Sequence, residues 1–132
     1  MAPSMTHRDA VTLAVVDDDD DVRTALDRLL QAMGYRVLGF ASAEDFEAHP
    51  GDVDCAIVDM RLPGMSGVEL CERLRRRPSP TPVVLVTGDA CRPVSDPPAV
   101  PGTPLLNKPF DDTALSDAIA VAIAGVAACR VD

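Results

Sequence analysis

Aromatic residues are scarce in this chain of 132 residues. They make up 3% of the sequence, as three Phe, one Tyr and no Trp, while hydrophobic residues as a whole reach 47%. The core must therefore be built from aliphatic side chains. The length suits one domain with a substantial core and is too short for two ordinary domains.

Paired cysteines and long apolar runs are also missing. The four cysteines show no CxxC spacing, which argues against a metal site built from thiolates. The N-terminus lacks the basic and apolar regions of a secretory signal, so we expect free thiols in a reducing, cytoplasmic environment. Residues 113–129 are rich in Ala and Val but are interrupted by Asp117, which favours a packed helix and no membrane insertion.

Positive charge is in deficit, with 12 basic against 21 acidic residues and a net charge of -9. This balance argues against binding nucleic acid over the whole surface, and we expect no direct nucleic-acid partner. A small basic group is present, and its position suits the C-terminal end of a helix dipole. It consists of Arg73, Arg75, Arg76 and Arg77.

Apolar runs alternate with helical patterns along the chain after a polar tail at residues 1–10. Short apolar runs bounded by turn residues predict five strands, at 11–16, 35–40, 54–59, 83–86 and 105–106. Helices are predicted after each of the first three strands and after the fifth. The first helix is predicted from an apolar stripe that ends at Gly34 and consists of Val22, Ala25, Leu26, Leu29, Leu30 and Met33. The second is predicted to begin after the N-cap Ser42, and the third to cover residues 66–76. The last is predicted over residues 111–128, with an apolar stripe of Leu115, Ile119, Ile123 and Val126.

This alternation predicts an α/β fold, with one parallel sheet covered by helices on both faces and one domain over residues 11–130. One connection departs from the alternation. Residues 91–104 contain five prolines, so a regular helix is hard to build there and any helix between the last two strands should be short or irregular.

Polar residues follow four of the predicted strands. Asp17 opens a run of five aspartates, Asp59 and Thr87 come next along the chain, and Lys108 follows the fifth strand. The carboxyl ends of parallel strands share one edge, where ligands bind in open α/β sheets. Carboxylates that converge there repel one another unless a hard cation such as Mg²⁺ lies between them. A hydroxyl and an ammonium group nearby would suit a phosphoryl group.

Four sequence blocks resemble those of the response-regulator receiver domains of two-component signalling. They are VVDDDDDVR, DCAIVDMRLPGMSG, PVVLVTGDA and NKPF, in the family's order and close to its spacing, and the match covers about residues 11–128. The resemblance implies a flavodoxin-like, doubly wound sheet with strand order 2-1-3-4-5.

The resemblance also implies a role for each site residue. Asp59 resembles the aspartate that accepts a phosphoryl group from a sensor histidine kinase. Asp17 and Asp18 resemble the acidic pair that binds Mg²⁺, with Asp18 the more direct ligand, and Asp59 and the backbone carbonyl of Arg61 would complete the metal site. Thr87 resembles the switch hydroxyl. Lys108 resembles the cation that pairs with the phosphoryl group, and its bond to Pro109 resembles the family's cis peptide.

Two features depart from the family pattern. The switch usually includes an aromatic residue three positions before the lysine, and this position is Leu105 here. The family's fourth helix should lie within residues 89–100, in the proline-rich stretch. The rotamer switch and the usual signalling face are therefore both expected to differ from the family's.

The resemblance implies that the chain is a signalling module and not a classical enzyme, although receivers self-catalyse phosphorylation from small phosphodonors. The implied partners are a phosphodonor, which is a sensor histidine kinase or a phosphotransfer protein, and a downstream protein. The resemblance is also compatible with a homodimer. No output domain is recognised in the chain, which resembles either a stand-alone regulator or a receiver from a hybrid sensor kinase. The alternatives are a haloacid-dehalogenase-like phosphatase, which would need an acid where Arg61 stands, and a non-phosphorylated docking pseudo-receiver.

Overall fold

The computed structural model describes residues 11–49, 53–77, 80–88, 103–107 and 111–130, with side chains described only up to residue 125 in the last range. The tail at 1–10, the segment expected to hold the family's fourth helix, and Lys108 with Pro109 lie outside these residues. Five strands and four helices are described. They are β1 Thr12–Val16, α1 Asp20–Ala32, β2 Arg36–Phe40, α2 Ala43–Ala48, β3 Cys55–Asp59, α3 Gly67–Arg75, β4 Val83–Thr87, β5 Leu105–Asn107 and α4 Asp112–Arg130.

The strands form one parallel sheet in the order β2-β1-β3-β4-β5, as predicted. The central strands β3 and β4 are buried along their whole length, which is typical of parallel strands covered on both faces. Alternate residues of each strand point to opposite faces, so the sheet has two separate apolar layers. α2 and α3 pack on one face, and α1 and α4 pack on the other.

The start of α2 at Ser42 and the end of α1 at Gly34 are as predicted, and α3 begins close to the predicted position, with Ser66 as an N-cap that was not predicted. Ser42 caps α2 by accepting a hydrogen bond from the Asp45 amide, and Ser66 caps α3 through the Glu69 amide. Gly34 follows α1 with φ of 101°, a left-handed conformation that glycine adopts at little cost.

Two side chains expected in the core are in fact exposed. Ala25 lies on the solvent side of α1, because its burial stripe is centred on Leu26 and Leu30. On α4, Ile123 is 38% exposed, whereas Leu115 and Ile119 are buried together with two small residues, Ala118 and Ala122. The side chain of Val126, the last residue of the predicted stripe, lies outside the described part of the chain.

The described cysteines are buried free thiols in the core. Burial raises the pKa of Cys55 to about 12 and also raises that of Cys71, whose sulfur lies 3.7 Å from the Thr103 hydroxyl. Both thiols are therefore protonated and poorly nucleophilic at neutral pH. Across the described residues, no helix is both long enough and apolar enough to cross a membrane.

Candidate functional site

Three carboxylates meet at the carboxyl edge of the sheet. Asp17, Asp18 and Asp59 each offer an oxygen atom within 4.8 Å of those of the other two. Asp17 is 1% exposed and Asp59 is 9% exposed, whereas Asp18 lies on the surface. These three residues form what we call the acidic cluster. The cluster therefore combines two buried carboxylates with one that is open to solvent.

Strand register explains why residues so far apart in the sequence converge. Val16 of β1 pairs with Val58 of β3, so the residues that follow them, Asp17 and Asp59, lie side by side at the carboxyl edge of the sheet. The Asp17 amide still donates to the Phe40 carbonyl of β2 at 3.1 Å. Backbone hydrogen bonds between β1 and β2 thus continue as far as Asp17, the first residue of the acidic cluster.

The run of five aspartates divides into different roles. The Asp17 carboxylate accepts a hydrogen bond from the Asp19 amide at 2.9 Å. Asp19 caps α1 by accepting from the amides of Asp21 and Val22 at 2.9 and 3.2 Å, and Asp20 forms an exposed ion pair with Arg23. Asp19 is a cap that the sequence did not single out, because any of several adjacent aspartates has the right chemistry for that position.

Asp59 is held by the loop that follows it. Its Oδ1 atom accepts a hydrogen bond from the Arg61 amide at 3.0 Å, and the Met60 amide donates to the Val86 carbonyl at 2.8 Å. The Met60 carbonyl in turn accepts from the Gly67 amide at 3.1 Å. The loop from Met60 to Ser66 therefore returns directly to the end of β3, and α3 begins against the backbone of Asp59.

A residue of α2 fastens the same loop from the outside. The Glu44 Oε2 atom accepts a hydrogen bond from the Met65 amide at 3.0 Å. This bond lowers the pKa of Glu44, since an amide donor favours the charged carboxylate. The neighbouring Gly64 has φ of 74°, and a Cβ atom there would lie 2.8 Å from Glu44 Oε2. The loop that follows Asp59 is therefore held by a contact between residues 21 positions apart.

Thr87 ends β4 at the same edge and is 2% exposed. Asp59 pairs with Val86, so Thr87 lies one residue beyond the level of Asp59 on the adjacent strand. Thr87 pairs with Asn107 of β5, and Lys108 follows Asn107 in the sequence. Leu105 pairs with Leu85 and lies on the same face of the sheet as Thr87, packed against the layer formed with α2 and α3.

Comparison with known proteins identifies the family to which this fold belongs. Residues 13–120 match the family model of the response regulator receiver domain. The chain belongs to the response regulator receiver family. The receiver is 36% identical to the transcriptional regulatory protein FixJ of Bradyrhizobium diazoefficiens, over 83% of this chain and 55% of that protein. Nodulation protein W of the same organism is 34% identical, over 88% of this chain and 54% of that protein.

Solved structures give the same result. The crystal structure of FixJ-N has a TM-score of 0.72 at 33% identity, over 86% of this receiver and 94% of that chain. The low-resolution structure of the response regulator StyR has a TM-score of 0.73 at 37% identity, over 90% of this receiver and 62% of that chain. The predicted flavodoxin-like fold and the predicted family are therefore confirmed. The receiver spans about half the length of the curated relatives that it matches.

The function that follows from the family is that of a phosphoacceptor domain in two-component signalling, and not that of a classical enzyme. Receiver domains bind Mg²⁺ at an acidic site, and the acidic cluster here is a group of carboxylates that could bind a metal ion. Of the predicted site residues, the structure brings together Asp17, Asp18 and Asp59 and places Thr87 at the same edge. Lys108 lies outside the described residues.

Proposed function

We propose that Asp59 is the residue that accepts the phosphoryl group, and that Asp17 and Asp18 hold the Mg²⁺ ion that the transfer needs. The observation that carries this proposal is the convergence of the three carboxylates within 4.8 Å at the carboxyl edge of the sheet. Carboxylates so close together repel one another, and a divalent cation offsets that repulsion. Two of the three are nearly buried, which makes the repulsion stronger than it would be in bulk water.

The donor set suits Mg²⁺ in particular. Mg²⁺ prefers oxygen ligands, uses a small number of carboxylates and keeps several waters, which the exposed side of the acidic cluster near Asp18 would admit. We assign Asp17, Asp18, Asp59 and the backbone carbonyl of Arg61 as its protein ligands or near neighbours. The Arg61 assignment is supported by the 3.0 Å hydrogen bond from its amide to Asp59, which holds the backbone of Arg61 close to the acceptor.

The reaction is an in-line displacement at phosphorus. A carboxylate oxygen of Asp59 attacks the phosphorus of a phosphohistidine, forming a P–O bond while the P–N bond breaks. The imidazole nitrogen leaves with the bonding electron pair, and the product on Asp59 is an acyl phosphate. When bound, Mg²⁺ neutralises charge on the transferring phosphoryl oxygens.

Thr87 and Lys108 are proposed to bind the phosphoryl oxygens after transfer. The Thr87 hydroxyl would donate a hydrogen bond, and Lys108 would supply an ammonium charge. Support comes from the strand register, since Thr87 pairs with Asn107 and Lys108 is the next residue. Lys108 is also the only lysine in the sequence, so no other side chain of the chain can supply an ammonium group.

The proposed donor is a sensor histidine kinase or a phosphotransfer protein, and the proposed recipient of the signal is a downstream protein or a second copy of the chain. A cytoplasmic location accords with these partners. We also propose that the receiver takes phosphate from small donors without a kinase, because the residues assigned to the transfer all belong to the receiver itself. No direct contact with nucleic acid is assigned to this domain.

The two alternatives are less well supported. A haloacid-dehalogenase-like phosphatase needs a second acid two residues after its nucleophile, and Arg61 occupies this position. In addition, the family match covers residues 13–120 and is to receivers. A docking pseudo-receiver has no need of three converging carboxylates, and the acidic cluster therefore favours a receiver that is phosphorylated.

Incubation with acetyl phosphate and Mg²⁺, followed by intact mass measurement, tests the proposal. Wild type should gain the mass of one phosphoryl group, base should remove it as expected for an acyl phosphate, and Asp59→Asn should gain none. Asp54→Asn is a matched control, because Asp54 precedes the other end of β3 and its carboxylate accepts from the Thr12 amide there. Base-stable labelling of Asp59→Asn, or loss of labelling in Asp54→Asn alone, would overturn the assignment.

A further inference from the structure

Arg23 is a cation that lies beside the backbone of the acidic cluster. It lies in the first turns of α1, and its Nη1 atom donates a hydrogen bond to the Asp17 carbonyl at 2.7 Å. Its Nη2 atom donates to the Asp20 carboxylate. The guanidinium group therefore spans the β1–α1 loop and joins the residue before Asp18 to the start of the helix after it.

The stem of Arg23 is held by packing. It crosses Gly39 of β2, where a Cβ atom would lie 3.3 Å from the Arg23 Cδ atom and 3.5 Å from Cγ. The absence of a side chain at position 39 leaves room for the stem, and the Arg23 side chain is only 23% exposed. A guanidinium on a packed stem loses less entropy when it forms a hydrogen bond, because few rotamers remain available to it.

Arg23 completes the restraint of Asp17 on three sides. The Asp17 amide donates to Phe40, its carboxylate accepts from the Asp19 amide, and its carbonyl accepts from Arg23. The Asp17 carbonyl belongs to the peptide group that leads into Asp18. Without the hydrogen bond from Arg23, this peptide group could rotate, and the direction of the exposed Asp18 carboxylate would no longer be fixed.

We propose that Arg23 is a positioning residue for the cation site, one that orients the Asp17–Asp18 peptide so that the two carboxylates converge with Asp59. The inference rests on the proposed function, in which the acidic cluster binds Mg²⁺. In other proteins, mutation of a group that orients a metal ligand without touching the metal lowers the metal affinity by about 10- to 100-fold. Arg23 would act through the backbone of Asp17 without touching the ion.

Charge and geometry predict opposite effects for this residue. Arg23 is a cation near the site, so removing its charge should strengthen Mg²⁺ binding if charge alone matters. If Arg23 positions the loop, removing it should weaken binding despite the loss of a positive charge. A measurement of Mg²⁺ affinity therefore separates the two roles by its sign.

The experiment is calorimetric titration of Mg²⁺ into wild type, Arg23→Gln, Arg23→Lys and Arg28→Gln at one ionic strength. Arg28 is exposed on the same helix, so Arg28→Gln removes the same charge without touching the loop. Arg23→Gln should bind Mg²⁺ about 10-fold more weakly than wild type, and Arg23→Lys should also be weakened, because lysine keeps the charge but lacks the fork that reaches both Asp17 and Asp20. Arg28→Gln should bind as wild type or slightly more tightly.

Melting curves in EDTA show whether each variant is folded. If Arg23→Gln does not fold, the folded Arg23→Lys variant decides the question. Equal or tighter Mg²⁺ binding by the folded Arg23 variants would overturn the inference while leaving the proposed function intact. Failure of wild type to bind Mg²⁺ would instead overturn the proposed function, and the inference with it. Phosphorylation by acetyl phosphate provides a second readout, since a positioning defect should appear at low Mg²⁺ and diminish as Mg²⁺ approaches saturation.

Discussion

Gly67 begins α3 directly against the carbonyl group of Asp59. A Cβ atom at position 67 would lie 2.1 Å from the Asp59 oxygen and 2.9 Å from its carbonyl carbon. The obstacle is backbone at the end of a buried strand, so it cannot move aside as a flexible side chain would. The proposed acceptor and the start of the next helix are thus in contact, and only glycine fits between them.

Replacing Gly67 by Ala should therefore destabilise the fold and displace the acceptor. We expect a loss of about 1–3 kcal/mol in the free energy of unfolding, as for other overpacked sites, measured by urea denaturation. Gly125→Ala is the matched control, since nothing lies within 4 Å of a Cβ atom there. Gly125 lies within α4, and its replacement by Ala should raise the free energy of unfolding by about 0.5–1 kcal/mol, because Ala is the better helix former. Equal stability of Gly67→Ala and wild type would contradict the close approach.

Glu44 should make a contribution to stability that depends on pH. Its pKa is lowered from 4.5 in the folded protein, mainly by the hydrogen bond from the Met65 amide. The stabilisation is therefore fully present above the unfolded value and is lost as the pH falls through the lower, folded value. Glu44→Gln should melt at a lower temperature than wild type at pH 7, and the difference should shrink as the pH is lowered below 4.5.

Glu72→Gln provides the control for this pH series, because Glu72 is exposed on α3 and its removal changes the net charge by the same amount. Its melting temperature should follow that of wild type across the range. A Glu44→Gln difference that stays constant from neutral pH to acid would show that the carboxylate charge is not what holds Met65.

Asp18 should contribute to Mg²⁺ binding more than to the fold. Because it is exposed, Asp18→Asn should leave the melting temperature in EDTA close to that of wild type. The increase in melting temperature on adding Mg²⁺ should be mostly lost, since binding to the folded state alone is the source of that increase. Asp21→Asn, also exposed in the same run of aspartates, should keep it. Full Mg²⁺ stabilisation of Asp18→Asn would exclude Asp18 as a ligand.

Thr87 should link the acceptor to β5. It pairs with Asn107, so a change at its hydroxyl is next to the edge strand. On addition of beryllofluoride and Mg²⁺, the amide resonances of Leu105 to Asn107 should shift in wild type and in Thr87→Ser, which keeps the hydroxyl. Thr87→Ala should bind the mimic with β5 shifts much reduced. Shifts as large in Thr87→Ala as in wild type would place the link elsewhere.

The sequence predicted the fold well because the apolar runs are short, buried and separated by clear turn signals. Asp59, for example, follows four apolar residues and precedes a Pro-Gly turn, and this pattern is enough to place it at the carboxyl end of a central strand. Apart from Ile123, the errors in predicted burial concern alanines, because Ala occurs on both the buried and the exposed side of a helix. Ala25 was expected in the core and is exposed, while Ala118 and Ala122 were not singled out and are buried.

The site divides in the same way. Asp17, Asp59 and Thr87 are candidates from the sequence pattern, because each comes at the end of an apolar run and all such ends share one edge. Asp18 was singled out by the resemblance to the receiver family. Their distances depend on the register between β1 and β3, which many side chains set together. The supports of the site belong to the tertiary structure. Arg23, Glu44 and Gly67 contact backbone atoms of other residues. Every residue has a backbone carbonyl, so the sequence does not indicate which residue such a contact will involve.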